Sequence, residues 1–176
     1  MRFRLGLAVL AFASSSAGHV VTRRSIFDKT SIITSTKHIN APLDAVIATL
    51  HDFQTMINLN PLVTSSVQDS TDPNKFTITD ELPLIPSLGL SFPTTYVAEF
   101  EALPDGMNTN NSAQAGVSLH NEWRAVANAT GGTDLTETDT LTANFLLTGI
   151  VTDELTTSHN QLMDALAAKL EAENPQ

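Results

Sequence analysis

The chain has 176 residues, of which 41% are hydrophobic and 16% are charged, and its formal net charge is −10. This length and apolar fraction suit one folded domain with a sizeable core. The acidic balance argues against nucleic-acid binding, which needs clustered Lys and Arg. Because the chain has no cysteine, disulfides, thiolate metal sites and cysteine nucleophiles are excluded.

The N-terminus has the order of residues that is typical of a secretory leader. Arg2 and Arg4 precede an apolar run over residues 5–13, and Ser15 and Ala17 follow at the spacing that a signal peptidase requires. The apolar run is too short to span a bilayer as a permanent helix. We therefore expect a removable leader and no stable membrane span.

We expect three segments: a signal peptide over residues 1–17, a linker over 18–24 and a folded domain over 25–173. This division predicts a secreted protein. Two alternatives remain open at this point. Arg23 and Arg24, with no acidic residue before Asp28, also fit a mitochondrial presequence, and a further alternative is that the leader is a non-native extension on a cytoplasmic domain.

Patterns of apolar residues predict the elements that follow the leader. Asn40 and Pro42 indicate the start of a helix, whereas the polar residues 107–114 indicate a mobile loop. The predicted elements are a strand over 26–38, a helix over 43–53, a short helical piece over 56–59, strands over 62–68, 75–82, 94–102, 117–126 and 133–145, and a terminal helix capped by Thr152.

The terminal helix carries an apolar stripe long enough to cover one face of a sheet. Its members are Leu155, His159, Leu162, Met163, Leu166 and Leu170. Consecutive strands joined by short turns favour an antiparallel sheet. The sequence thus predicts an α+β fold, in which a curved sheet of about six strands wraps around a long C-terminal helix and leaves a cavity between them.

The order of elements resembles the START-like, helix-grip (SRPBCC) superfamily, which includes polyketide cyclases, pollen-allergen-like proteins and lipid-transfer domains. More closely, the chain is similar to a fungal family of START-like proteins without an established function. The resemblance covers residue 23 to the end and implies a fold and a cavity, but no reaction. The residues that carry it are Arg24-Ser25-Ile26-Phe27, Leu50-His51-Asp52-Phe53-Gln54-Thr55-Met56-Ile57, Leu59-Asn60-Pro61-Leu62-Val63, Asn121-Glu122-Trp123-Arg124, Leu141-Thr142-Ala143-Asn144-Phe145 and Ser158-His159.

Bulky residues on one sheet face and on the helix stripe are the predicted lining of that cavity. They are Phe76, Ile78, Tyr96, Phe100, Trp123, Leu141, His159, Leu162 and Met163. His159 could hydrogen-bond a ligand carbonyl or hydroxyl, or it could lie at the edge of the stripe. For His51 and Asp52 we favour a structural role at the end of the first helix.

Glu137 and Asp139 alternate in register with Leu135 and Leu141, so an inward face would place two carboxylates near the cavity, where they could act as general acids. We favour instead a bulge that breaks the alternation, or a position at the open rim. With His159, these two residues are the weak catalytic candidates.

Two functions fit this sequence. The first is binding or carriage of an apolar small molecule or lipid. The second is a cyclase-like enzyme that acts on a polyketide-type metabolite. Convergent titratable groups in the cavity would favour catalysis, and an apolar lining would favour carriage. The scattered histidines predict no metal site, no cofactor motif is present, and the oligomeric state is left open.

Overall fold

The computed structural model describes residues 28–85, 90–113 and 116–175. The predicted leader over 1–17, the linker over 18–24 and the first residues of the predicted domain lie outside the described residues. Within the described part of the chain, no helix combines the length and apolar character needed to cross a membrane.

Seven strands and three helices form from the described residues. In chain order they are β1 (Asp28–Ile39), α1 (Leu43–Leu50), α2 (Phe53–Leu59), β2 (Val63–Gln68), β3 (Lys75–Ile85), β4 (Leu90–Leu103), β5 (Gly106–Ala113), β6 (Ser118–Ala127), β7 (Thr133–Asn144) and α3 (Phe145–Glu173). The sheet order is β1-β7-β6-β5-β4-β3-β2, and every neighbouring pair is antiparallel. The predicted α+β helix-grip fold is confirmed.

The inner face of the sheet packs against the helices because each central strand alternates buried and exposed side chains. β7 shows the strictest alternation, with every second residue from Thr133 to Ala143 buried. Helix α3 lies over β1 and β7 and buries its predicted stripe, including Leu166 and Leu170, which are almost fully enclosed. Helix α1 adds Val46 and Leu50 to the same core.

Three elements differ from the sequence-based prediction. Residues 107–114 were expected to form a loop, but Gly106–Ala113 is the central strand β5, and its paired neighbours β4 and β6 stabilise it despite its polar sequence. Helix α3 begins at Phe145, so Thr152 lies inside the helix and does not cap it. At α1 the N-cap is Pro42, and Asn40 instead donates two hydrogen bonds to Glu171 on α3.

Candidate functional site

A cavity of about 60 Å³ lies between α2, α3 and the inner face of the sheet, and it opens to solvent. Six of the nine predicted lining residues surround it: Ile78, Tyr96, Phe100, Trp123, His159 and Leu162. The sequence did not identify the remaining lining, which comes from α2 and its C-cap, the start of β2, β5 and β6. These residues are Met56, Ile57, Asn60, Val63, Met107, Thr109, Asn111 and Asn121.

The other three predicted lining residues do not line this cavity. Phe76 packs edge-to-face on Phe100, with ring centroids 5.5 Å apart. Leu141 is enclosed in a separate cluster with Ala143, and Met163 lies in the main core. The reason is geometric: successive residues of a helix point about 100° apart, so only one of the neighbours 162 and 163 can face the cavity.

Two carboxylates and an imidazole converge beside the cavity. Strand β7 supplies Glu137 and Asp139, which are 0% and 2% exposed, and helix α3 supplies His159. The His159 Nδ1 atom lies 2.5 Å from Glu137 Oε1 and 3.5 Å from Asp139 Oδ2. Because Nδ1 faces the carboxylates, Nε2 is the ring nitrogen left to face a ligand.

The interpretation that we favoured for Glu137 and Asp139 was wrong. Both of their neighbouring strands pair with β7 in unbroken register, without a bulge, and neither side chain lies at an exposed rim. Helix α3, which covers this strand, places His159 beside the two carboxylates. The positive charge of His159 offsets part of the free-energy cost of burying them. A sequence pattern cannot show which residue of α3 lies above which residue of β7.

Polar side chains of β5 and β6 form hydrogen bonds that connect to Asp139 and extend this group of polar residues across the sheet. Asn121 Nδ2 donates to Asp139 Oδ1 at 2.5 Å, while its Oδ1 accepts bonds from Thr109 Oγ1 at 2.6 Å and from Asn111 Nδ2 at 2.8 Å. Reading residues 107–114 as a strand would have placed Thr109 and Asn111 on one face by alternation. Because we predicted a loop over residues 107–114, the sequence analysis did not identify Thr109 and Asn111 as part of the site.

Opposing effects set the protonation of the central pair. Burial lowers the pKa of His159, but attraction to Glu137 and hydrogen bonds to Asp139 and Glu137 outweigh it and raise this pKa to about 10. Burial raises the pKa of Glu137 to about 7, although the neighbouring His159 opposes this shift. Near neutral pH, His159 is therefore an imidazolium, and its charge offsets part of the cost of burying the Glu137 carboxyl.

A second titratable pair lies on the same inner face. Asp80 is 8% exposed and follows Phe76 and Ile78 in the alternation of β3, a position that the sequence signalled and that we overlooked. The hydroxyl of Tyr96, a lining residue, hydrogen-bonds the Asp80 carboxylate. Burial raises the pKa of Asp80 to about 6, and the Tyr96 hydrogen bond and the charge on His159 limit the shift.

The cluster of Glu137, Asp139 and His159 could also hold a divalent cation, since one ligand atom from each residue lies within 4.8 Å of the others. However, the Asn121 amide nitrogen already points at Asp139, and a hydrogen bond closes the gap between His159 and Glu137. These two contacts occupy Asp139 Oδ1 and Glu137 Oε1, while Glu137 Oε2 is buried without a partner among the described residues. The three side chains can therefore serve proton transfer or hold a cation.

His51 and Asp52 have structural contacts. The His51 Nε2 atom donates to the carbonyl oxygens of Leu103 and Gly106, each at 3.0 Å. Asp52 is the N-cap of α2 and accepts bonds from the backbone and hydroxyl of Thr55. Both residues thus hold the α1–α2 corner against the turn between β4 and β5.

Comparison with solved structures supports the fold. The di-domain ARO/CYC StfQ of the steffimycin biosynthetic pathway matches with a TM-score of 0.63 and 15% identity, over 82% of this chain and 51% of that protein. Our chain thus spans about half the length of that di-domain relative. A Thalictrum flavum norcoclaurine synthase mutant, in complex with a transition-state analogue, matches with a TM-score of 0.62 and 15% identity, over 85% of this chain and 99% of that protein. Ara h 8.0201 matches with a TM-score of 0.57 and 13% identity, over 82% of this chain and 99% of that protein.

These likenesses show that the chain has the helix-grip fold. No curated protein shows a significant sequence match to this chain. Residues 28–172 match a family described as a domain of unknown function, DUF7053. Since this match covers most of the chain, the protein belongs to the DUF7053 family.

Proposed function

We propose that the protein binds a small, largely apolar molecule that carries a carbonyl oxygen, and that His159 donates a hydrogen bond to that oxygen. The observation that carries this proposal is the placement of His159 in the cavity lining, with Nδ1 turned towards two buried carboxylates. A cation held in this way offers its Nε2–H to the cavity. The ligand group it suits best is a neutral or developing-negative oxygen.

The walls around His159 support an apolar ligand. Trp123 stacks at a centroid distance of 6.5 Å from the imidazole ring, and Phe100, Met107 and Leu162 are further apolar residues of the lining. Apolar walls exclude water and strengthen the single charged hydrogen bond. They also select against highly polar ligands.

The volume of the cavity limits the size of the ligand. Sites for drug-sized molecules measure about 300–1,000 Å³, whereas this cavity measures about 60 Å³. It therefore encloses only a few heavy atoms, and the rest of a longer molecule would extend through the mouth. A whole lipid chain would need the cavity to widen.

A second candidate function is cyclase-like acid–base catalysis, and the convergence of Glu137, Asp139 and His159 favours it. An imidazolium oriented by carboxylates can donate a proton to a carbonyl oxygen as charge develops there. The neutral imidazole keeps its Nδ1 proton in the hydrogen bond to Glu137, and Nε2 regains a proton from water at the open mouth of the cavity. The same residues serve simple binding and catalysis, so the two functions differ only in whether the bound carbonyl reacts.

Trp123 is the only tryptophan of the chain, so its fluorescence reports directly on cavity binding. We expect saturable quenching by 2-alkanones such as 2-pentanone and 2-heptanone. His159→Gln should weaken binding at least tenfold, whereas His120→Gln, on the outer face of β6, should leave it unchanged. Leu162→Trp offers a second test, because it fills the cavity without removing a charge; since it adds a second tryptophan, its binding is followed by NMR of the ketone instead of by fluorescence. Equal binding by the parent protein and both cavity variants would refute the proposal.

Two further measurements separate binding from catalysis. Native mass spectrometry of the protein purified from its own host should show a bound small molecule. Deuterium exchange at the α-carbon of a bound ketone, followed by NMR, reports proton transfer. Exchange above the background rate that His159→Gln abolishes would support the catalytic candidate, and binding without exchange would support carriage.

A further inference from the structure

Asn111 lies at the end of a hydrogen-bond network on the inner face of β5. It lines the cavity and is half-buried. Its Nδ2 atom donates to Asn121 Oδ1 at 2.8 Å and to Thr109 Oγ1 at 3.3 Å. Asn121 and Thr109 also line the cavity, and they are only 2% and 5% exposed. The network thus holds the Asn111 amide in one position against the cavity wall.

The direction of each hydrogen bond in this network follows from the carboxylate at its other end. An ionised carboxylate only accepts hydrogen bonds, so Asn121 presents its Nδ2 group to Asp139 Oδ1. The Oδ1 atom of Asn121 is then turned towards β5, where it accepts from Thr109 and Asn111. Asn111 in turn presents its Nδ2 group to Asn121, and Oδ1 is its remaining polar side-chain atom.

This Oδ1 atom is an accessible acceptor. It has no hydrogen-bond partner among the described residues. The side-chain atoms of those residues that are fully buried without a partner are Asp80 Oδ1, Glu137 Oε2 and Thr152 Oγ1. Asn111 Oδ1 is not one of them, so it reaches open space. Because strand alternation directs Asn111 to the inner face together with Thr109, that space is the cavity.

We propose that Asn111 Oδ1 is a second binding position in the cavity, which accepts a hydrogen bond from a hydroxyl group of the ligand. The ligand class is then a hydroxy ketone or hydroxy aldehyde, with its carbonyl at His159 and its hydroxyl at Asn111. This inference rests on the proposed function, which assigns the carbonyl to His159. A neutral donor suits the position because the imidazolium of His159 repels a cationic one such as an ammonium group.

The strand order limits the length of such a ligand. His159 lies beside Glu137 on β7, and Asn111 lies on β5, two strands away. Neighbouring strands are about 4.8 Å apart, and both side chains line the same small cavity. A short carbon chain between the carbonyl and the hydroxyl therefore fits the two positions. A ligand without the hydroxyl would displace water from Asn111 Oδ1 without replacing its hydrogen bond, and sites of this kind discriminate against such analogues.

Three probes that differ in one group test this inference through Trp123 fluorescence. The donor is present in 4-hydroxy-2-butanone. In 2-pentanone a methyl group replaces the hydroxyl, and 4-methoxy-2-butanone keeps the oxygen but has no proton to donate. The same sets lengthened by one and by two carbons cover longer spans. At the best length, we expect the hydroxy ketone to bind about three- to tenfold more tightly than either partner, which is what one neutral hydrogen bond contributes.

Variants assign that preference to a residue. Asn111→Leu should abolish it, because leucine is similar in size and has no acceptor. Asn110→Leu is the matched control, since it makes the same change on the exposed outer face of the same strand and should leave the preference unchanged. Asn111→Ala, which cannot overpack the cavity wall, provides the same test if Asn111→Leu does not fold.

Several results would overturn the inference. Ketones that bind to the parent protein with less than about a threefold preference for the hydroxyl at every length refute the role of Asn111 and leave the proposed function standing. Equal binding of the hydroxy and methoxy probes, or a preference that survives the Asn111 variants, has the same consequence. If none of the ketones binds, the proposed function and the ligand class fail together.

Discussion

Replacing Asp80 with asparagine should stabilise the protein at neutral and alkaline pH. In the parent protein, burial raises the pKa of Asp80 from 3.8 to about 6, so the folded state holds this proton more tightly than the unfolded state does. As pH rises from 3.8 through 6, the unfolded chain loses the proton first, and the free energy of unfolding falls. Above pH 6 the full cost of the buried charge is present.

The pKa shift sets the magnitude of this cost. A shift from 3.8 to about 6 corresponds to about 3 kcal/mol at 1.36 kcal/mol per unit, and relaxation of the buried site reduces such values in practice. We therefore expect the free energy of unfolding of Asp80→Asn, measured relative to that of the parent protein, to rise by about 1–3 kcal/mol from pH 4 to pH 8. Glu137 and His159 also titrate over this range, but their contributions are shared by both proteins and cancel in the difference.

Urea denaturation at pH 4, 5, 6, 7 and 8 measures the difference directly. Glu81→Gln is the control, because its carboxyl lies on the exposed face of the same strand and should show no such dependence. A difference between Asp80→Asn and the parent protein that stays constant from pH 4 to pH 8 would show that Asp80 is not a buried charge. If the stability advantage of Asp80→Asn instead fell with rising pH, the folded state would favour the charged form of Asp80, which is the opposite of what we infer.

Backbone and packing give the remaining predictions, and urea denaturation measures the stability change in each. Gly106→Ala should destabilise the fold by at least about 1–3 kcal/mol, because the added Cβ would lie 1.9 Å from the carbonyl oxygen of Trp123. Gly149→Ala, which meets nothing within 4 Å on α3, should stabilise it by about 0.5–1 kcal/mol; equal effects at both positions would contradict the geometry. Met163→Trp should lower the free energy of unfolding by about 1–3 kcal/mol, because it overpacks the core. Leu162→Trp should lower it less and should abolish ketone binding. A larger loss of stability for Leu162→Trp than for Met163→Trp would show that the cavity lies elsewhere.

The fold was predictable because its long elements have strong periodicity. Alternation in β7 and the apolar stripe of α3 fixed the two largest packing surfaces, and short turns implied antiparallel neighbours. β5 was missed because its sequence, Gly106–Ala113, contains three asparagines and few apolar residues. Such a strand is stabilised by its neighbours on both sides and by amide hydrogen bonds at the cavity, which local sequence does not show.

The candidate site was only partly predictable, since it depends on distances between elements that are far apart in the chain. His159 and Glu137 are separated by 22 residues and by the junction of β7 with α3. The start of α3 was placed too late, so the level of His159 along β7 could not be derived. Without that histidine, burying two carboxylates on one strand has a large desolvation cost. A bulge or an exposed rim avoids this cost, so the sequence alone favoured that interpretation.

The distribution of buried polar groups bears on whether the cavity is functional. A container for a purely apolar molecule would gain stability from aliphatic residues at positions 80, 121 and 137, because each polar group there must be desolvated. The protein instead buries charges on β3 and β7, and it leaves Asp80 Oδ1 and Glu137 Oε2 without partners among the described residues. Asp80 and Glu137 lie on the inner face of the sheet without lining the cavity, and the charge of the lining residue His159 acts on both. Buried polar groups that reduce stability and gather around one lining residue, His159, indicate selection for a ligand, and the pH dependence of Asp80→Asn measures how much stability the buried Asp80 carboxyl costs.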